Sequence, residues 1–235
     1  MHSESHQPTA PGFFLTFEGL DGSGKTTQIK RLTAWLAERN LAHIVTRQPG
    51  GTATGDRIRA LLLDSKSSNL SPRTELAMMF ADRAQSIQEV IAPALARGEI
   101  VVCDRFTDST EAYQGGGREL GSEIVLELHR LLCANLQPDL TILLLPDIKA
   151  SLTRARRRNN RETEATGNDE SRFEHEQNAF FERVHKKYLE IAAREPVRVV
   201  TINGSLNIEQ VHSRVITAVA KRLGPFESWQ QQQKT

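Results

Sequence analysis

Short apolar runs alternate along the chain with longer stretches of helical period. Phe13–Glu18, Ala42–Thr46, Ile100–Asp104, Leu140–Leu145 and Val197–Ile202 are the strand candidates. Runs such as IVVCD and LTILLL show little polar alternation, the pattern of strands buried on both faces. Between them, Lys25–Asn40 places Ile29, Leu32 and Leu36 on one helical face. Ser71-Pro72 supplies an N-cap followed by proline at the first helical position, and the helix it opens runs toward Gly98 with a kink expected at Pro93. Further helices are predicted over Ser122–Ala134, Ile148–Arg158, Arg172–Arg194 and Ile208–Leu223. Strands alternating with helices predict an α/β domain, a parallel sheet covered by helices.

The polar ends and one charged stretch interrupt this order. Residues 1–12 have neither a basic n-region nor an apolar h-region, so a disordered polar arm is expected there rather than a secretory signal. Residues 13–223 form one predicted domain, and residues 224–235 read as a polar tail. From Arg154 to Arg172 the chain is almost devoid of apolar residues and reads as a mobile surface flap.

Composition narrows the classes. With 38% hydrophobic and 25% charged residues in 235, the chain is ordinarily globular. Thirty basic against 29 acidic residues leave a net charge of +1, so no polybasic field points to nucleic acid, and any anion site must be local. No apolar run approaches the ~20 residues needed to cross a bilayer. Two cysteines, Cys103 and Cys133, do not make a disulfide framework, and both are expected to fill the core of a protein of a reducing, cytoplasmic compartment.

The first strand candidate runs into Gly19-Leu20-Asp21-Gly22-Ser23-Gly24-Lys25-Thr26, which fits G-x-x-x-x-G-K-[ST] between a strand and a helix. The glycines let consecutive N–H groups turn toward one anion at the positive end of the following helix. Lys25 adds a charge for the β- and γ-phosphates, the Thr26 hydroxyl suits Mg²⁺, and Thr27 completes the cradle. No N-K-x-D guanine signature follows, which argues against a signalling GTPase and leaves a compact kinase of a small acceptor.

The acceptor side starts at Asp104-Arg105, where a strand ends at the carboxyl edge of the sheet. Ser109, Tyr113 and Gln114 follow within DSTEAYQGGGR, giving hydroxyl, aromatic and amide groups suited to a nucleoside. Phe80 and Arg83 share a helix face, one able to stack on a base and the other to donate to a base carbonyl.

FEGLDGSGKTTQ, TRQPGGT, FADRAQ and DRFTDSTEAYQGGGR, in this order and spacing, resemble the thymidylate kinase family, P-loop enzymes that phosphorylate dTMP to dTDP. The likeness extends from about Phe13 to Leu223. It implies a P-loop nucleoside-monophosphate-kinase fold with a central five-stranded parallel sheet and a lid, Mg·ATP as donor, dTMP as acceptor, and commonly a homodimer. By the same resemblance, Phe80 stacks on thymine, Arg83 bonds its carbonyl, and Gln114 and Ser109 lie near the base edge. Asp21 meets the 3′-hydroxyl, Tyr113 crowds the 2′ position, Arg47 and Arg105 hold the acceptor phosphate, and Asp104 helps hold magnesium. With no arginine inside the P-loop, the resemblance assigns the arginine near the transferred group to the lid, with Arg154 and Arg158 as its members and Arg172 at its end. Three departures stand out: Gln48 where the family reads glutamate in T-R-E-P-G-G, Leu145-Pro146 where an aspartate often ends the strand, and a longer lid. The turn Asn203-Gly204-Ser205 is a candidate for adenine contacts. Phosphorylation of another nucleoside monophosphate, or ATP binding without turnover, are the alternative readings.

Overall fold

The computed structural model describes residues 12–67, 69–166 and 169–232; the expected arm at residues 1–11 lies outside them, as does the end of the tail. Five strands, β1 (Phe13–Glu18), β2 (His43–Arg47), β3 (Ile100–Asp104), β4 (Leu140–Leu144) and β5 (Val199–Ile202), form one sheet in the order β2-β3-β1-β4-β5. Every pairing is parallel. With β1 central and the chain crossing to both sides of it, the carboxyl ends of β1 and β3 border the crevice where ligands of open α/β sheets bind. Register brings the chemistry to that edge: Phe17 and Arg47 both pair with Asp104, and Glu18 pairs with Leu143.

Strand burial on both faces is explained by what covers them. Phe13, Leu15 and Phe17 pack against Ile29, Leu32 and Leu36 of α1 (Lys25–Glu38) and Val211, Val215 and Val219 of α9 (Ile208–Gln232). On the other face Phe14 meets Val101, Cys103 and Phe106. The two buried hydroxyls of β1 and β4, Thr16 and Thr141, hydrogen-bond each other at 2.8 Å, and Thr141 Oγ1 also accepts from Arg198 Nη1 at 2.8 Å. Both cysteines are buried free thiols in this core, and burial pushes both thiols up from their ordinary pKa.

Helix α2 (Ala53–Leu63) has no counterpart among the predicted elements. Only Gly55 and Leu62 are buried along it, with Ile58 and Leu63 partly buried on the same core, so its apolar stripe is short; a further signal is the N-cap, with Thr52 Oγ1 accepting from the Gly55 N–H at 2.8 Å. Helix α3 (Pro72–Ser86) starts as expected, with Ser71 accepting from Thr74 N–H. The kink expected at Pro93 is taken up by a π turn at Ile87–Ile91 ahead of α4 (Ala92–Ala96): the Ala92 N–H reaches Ile87 O, five residues back. A second π turn, Glu111–Gly117, follows the short α5 (Thr107–Thr110) and precedes α6 (Ser122–Leu132).

The charged stretch is not an irregular flap along its whole length. Helix α7 (Ile148–Thr166) continues well past Arg158, because Arg, Glu and Ala are good helix formers even without an apolar face. Its buried positions, Ser151, Leu152, Ala155 and Asn159, share one side. A 3-10 turn at Arg172–His175 and α8 (Asn178–Arg194) replace the single predicted helix. Likewise α9 passes Gly224-Pro225 and runs to Gln232, ending in a glutamine run that favours a helix.

A candidate phosphoryl-transfer cleft

Where β1 ends, the chain curls through three glycines with positive φ: Gly19 at 130°, Gly22 at 74° and Gly24 at 100°. Two of them are also close-packed. A Cβ on Gly19 would lie 2.2 Å from Leu144 O, and one on Gly22 would lie 2.1 Å from Ser151 O at the buried side of α7. Helix α7 therefore seats directly on the loop, and Arg154 reinforces this contact by donating from Nε to Gly22 O at 2.7 Å. Lys25 Nζ donates to the carbonyls of Gly19 and Leu20, both at 3.1 Å. Burial, with the Arg105 charge, lowers its ammonium to about 8 against the pull of Asp104, Asp21 and Glu18.

Arg105 follows β3 in a left-handed conformation, φ 71°, uncommon for a residue with a side chain and typical of functional sites. Its guanidinium donates to Asp21 Oδ1 at 2.9 Å, Ser109 Oγ at 2.9 Å, Tyr188 OH at 3.3 Å and Tyr113 OH at 3.4 Å. Burial works to raise the Asp21 pKa, yet Arg105, with Lys25 and Arg158, holds that carboxyl well below the usual carboxylate range. Beneath this network lies the fully buried Glu18, which accepts from the Phe106 N–H at 2.7 Å, from Tyr188 OH at 3.3 Å and from Ser109 Oγ. Burial and the nearby Asp108 push its carboxyl up to about 7, opposed by Ser109, Arg105 and the Phe106 amide. Glu18 and Tyr188 thus belong to the site although neither stood out in the sequence. Both read as ordinary positions of a strand and an amphipathic helix.

Two cavities open on this cleft and share Asp21, Gln48, Arg59, Leu63, Arg105 and Phe173. The larger, about 880 Å³, is lined by Gly22, Gly24, Lys25, Thr26, Thr27, Arg47, Asp104, Arg154 and Arg158. It therefore gathers the loop, the strand ends and two arginines of α7. Arg47 is tethered to Asp56 at 3.3 Å, and Arg158 to Asn159 Oδ1 at 3.1 Å. Asp104 Oδ1 is buried and, among the described residues, has no hydrogen-bond partner, which fits a hard divalent cation held with the Thr26 hydroxyl.

The smaller cavity, about 90 Å³, is lined by Met79, Arg83, Phe106, Ser109, Thr110, Tyr113, Gln114 and Phe173, among others. Arg83 is only 1% exposed. It donates to Gln48 Oε1 at 2.8 Å, Thr110 Oγ1 at 2.8 Å and Phe106 O at 3.2 Å. Its remaining Nη1 is buried without a partner among the described residues. Gln114 donates from Nε2 to Glu75 at 2.7 Å and leaves Oε1 equally unpaired. Gln48, whose Oε1 accepts from Arg83, leaves its Nε2 unpaired as well, so two orphaned donors and one orphaned acceptor among the described residues belong to side chains lining the same small space.

Phe80 departs from expectation. It is fully buried beside Leu76, Val125 and Cys133 and does not line the cavity. One position earlier on α3, Met79 does, at the rotation that a helix imposes between neighbours. Gln48 also changes partner: its side chain turns to Arg83 rather than toward Arg47. Leu145 sits among the apolar residues packed on Leu143, and its N–H pairs with Ile202 O at 3.1 Å, so it extends the sheet edge without a carboxylate. The Asn203-Gly204-Ser205 turn packs on Pro146, with Ser205 Oγ accepting from the Asp147 N–H, and lines neither cavity.

Comparison with known proteins follows the same lines. The family profile described as Thymidylate kinase matches residues 17–215. Among curated relatives, a thymidylate kinase of Pelobacter propionicus is 48% identical over 208 residues, covering 88% of this chain and 94% of the relative. One of Geobacter sulfurreducens is 46% identical over 213 residues, 90% of this chain and 98% of that protein. The crystal structure of thymidylate kinase from Ehrlichia chaffeensis superposes with a TM-score of 0.70 at 33% identity, covering 89% of this chain and 99% of that one.

Proposed function

We propose, from the premise that this chain belongs to the thymidylate kinase family, how its residues perform the family's reaction. The enzyme is a nucleoside monophosphate kinase that transfers the γ-phosphoryl group of ATP to the 5′-phosphate of dTMP, giving dTDP and ADP. An oxygen of the dTMP phosphate forms the new bond to the γ-phosphorus. The bond to the β,γ-bridging oxygen breaks, and its electron pair leaves with ADP. The acceptor phosphate is already anionic, so no general base is needed, and positioning with charge stabilisation carries the rate.

Donor phosphates lie in the loop from Gly19 to Thr27, with Lys25 shared between loop carbonyls and the β- and γ-oxygens. Asp104 and Thr26 would hold magnesium, which would supply charge neutralisation on the phosphates. The unpaired Asp104 oxygen supports this. Arg47 and Arg105 hold the acceptor phosphate, Asp21 meets the 3′-hydroxyl, and Tyr113 closes the 2′ side. Arg154 and Arg158 bring the lid's charge to the transferred group, supported by the Arg154 contact on the loop.

The observation that supports base recognition is the set of unpaired polar atoms on residues of the small cavity, Gln48 Nε2 among them, with one donor and one acceptor on the two residues that the resemblance places at the base. Arg83 Nη1 is a donor in want of an acceptor, and Gln114 Oε1 an acceptor in want of a donor. Thymine presents that complement, with O4 accepting and N3–H donating, whereas cytosine presents an amino group and a bare ring nitrogen there. Ser109 and Tyr113 close the sugar side, and Met79 takes the packing role that the resemblance gave to Phe80.

The protein works as a homodimer in the cytoplasm. Exposed Leu126, Leu131 and Leu132 on α6 support the first, and the two buried free thiols the second. No helix among the described residues is long and apolar enough to cross a membrane.

A coupled ADP-release assay with Mg·ATP and each of dTMP, dUMP, dCMP, UMP and dGMP tests the assignment, with Lys25→Ala as control. Lys25-dependent turnover favouring dTMP is expected; turnover of another acceptor in preference would discard the base-site reading.

A further inference from the structure

An amide can face a base edge with either end, and which end it shows decides whether the site accepts thymine or an amino-pyrimidine. Nothing in the small cavity itself fixes Gln114, since its Oε1 has no partner there. What fixes it lies behind, in the first turn of α3. Glu75 is fully buried, and its Oε1 accepts from Gln114 Nε2 at 2.7 Å and from Arg118 Nε at 3.2 Å. Its Oε2 accepts from Arg118 Nη2 at 3.1 Å and from Arg172 Nη2 at 2.7 Å. A carboxylate between two guanidinium groups offers only acceptors. The amide of Gln114 can therefore turn only its NH₂ toward Glu75, which leaves its carbonyl oxygen for the cavity.

We propose that Glu75 is the positioning residue for acceptor specificity, locking Gln114 so that the site demands a ring N–H donor and rejects pyrimidines with a bare ring nitrogen there. The inference rests on reading the small cavity as the base site. Glu75 does not line that cavity and acts only through Gln114. Arg118 and Arg172 have a part too, because their charges anchor the carboxylate and keep both oxygens engaged.

Glu75→Gln provides the sharpest test. Two guanidinium donors, Arg118 Nη2 and Arg172 Nη2, meet the Oε2 position against Arg118 Nε alone at Oε1, so the new amide keeps its oxygen at Oε2 and its NH₂ takes the Oε1 position, facing Gln114. Gln114 must then present its own oxygen to that NH₂ and turn Nε2 into the cavity. The expected result is a kcat/KM ratio of dTMP over dCMP reduced by about tenfold or more, through a raised KM for dTMP and a lowered KM for dCMP. Glu75→Asp keeps the charge for both arginines but withdraws the carboxylate from Gln114, and is measured alongside in case the glutamine variant does not fold. It should also lower the ratio, by freeing rather than inverting the amide. A variant that loses thermal stability and turns over both acceptors less well in equal proportion, with the ratio unchanged, overturns the proposal. A wild-type enzyme without preference for dTMP over dCMP overturns the base-site reading first and the role of Glu75 with it, so the two failures are told apart by the wild-type control.

Discussion

Between Gly19 and Thr27 the proposed donor cradle is contiguous in sequence and built from backbone, whereas the proposed base pocket draws side chains from α3, the loop after β2, the segment after β3 and the turn at Arg172–His175. In the cradle, specificity for phosphate lies in where N–H groups point, and glycine conformation with close packing sets that: Gly22 leaves no room for a methyl group beneath α7. In the pocket, specificity lies in which polar atoms are left over after each side chain has satisfied its neighbours. Arg83 and Gln114 spend their other hydrogen bonds on Gln48, Thr110, Phe106 and Glu75, and one atom of each remains. A site of the first kind tolerates substitution around it as long as the backbone holds. One of the second kind is sensitive to residues that never touch the ligand.

Lys25 separates the two regions most strongly. Lys25→Ala removes a charge from the transferred phosphoryl group and is expected to lower kcat with dTMP by about 10²–10³-fold while leaving the affinity for dTMP, read by equilibrium titration, nearly unchanged. Loss of dTMP affinity of the same size would mean that the two regions are not independent.

On α3 the contrast runs between adjacent residues. Phe80→Ala opens a cavity in a packed core and should cost about 3–5 kcal/mol, seen as a fall in Tm, with the KM for dTMP of the folded fraction retained. Met79→Ala, on the cavity side, should raise that KM about tenfold with the smaller loss of Tm. The opposite pattern would return base stacking to Phe80.

The smallest effect is in pH dependence. Burial and Arg105 depress the folded-state pKa of Lys25 to about 8, so the ammonium is present below that pH and lost above it. The kcat/KM for ATP should therefore fall by about tenfold per unit as pH rises beyond 8. Lys25→Arg, which cannot deprotonate in this range, should move that limb out of it.

How much of this was legible in the sequence follows the same division. All five strands and the P-loop were readable, because β1 alternates nothing, buries everything and runs into a contiguous motif. Helix α2 was not, since it buries so little that its period carried no signal, and with it Arg59, a lining residue of both cavities, was missed. The lid helix overran its expected end because a helix of Arg, Glu and Ala needs no apolar stripe. In the pocket, the residue types Arg83, Tyr113 and Gln114 were readable from spacing. That Met79 and not Phe80 faces the cavity depends on a rotation of about 100° between neighbours, which only the packing of α3 against α6 decides. Glu75 and Tyr188 were out of reach, since each acts across long sequence separations through atoms that no local pattern marks.

The proposed base pocket reads a ring N–H through Gln114 and a carbonyl through Arg83. The most direct test is to compare kcat/KM for dTMP with that for its N3-methyl analogue, which keeps every other atom but blocks the donor. Loss of about 10²-fold or more for the analogue in the wild type, and much less in Gln114→Ala, is the predicted result. An N3-methyl nucleotide turned over as well as dTMP, or one that loses as much in Gln114→Ala as in the wild type, would contradict it.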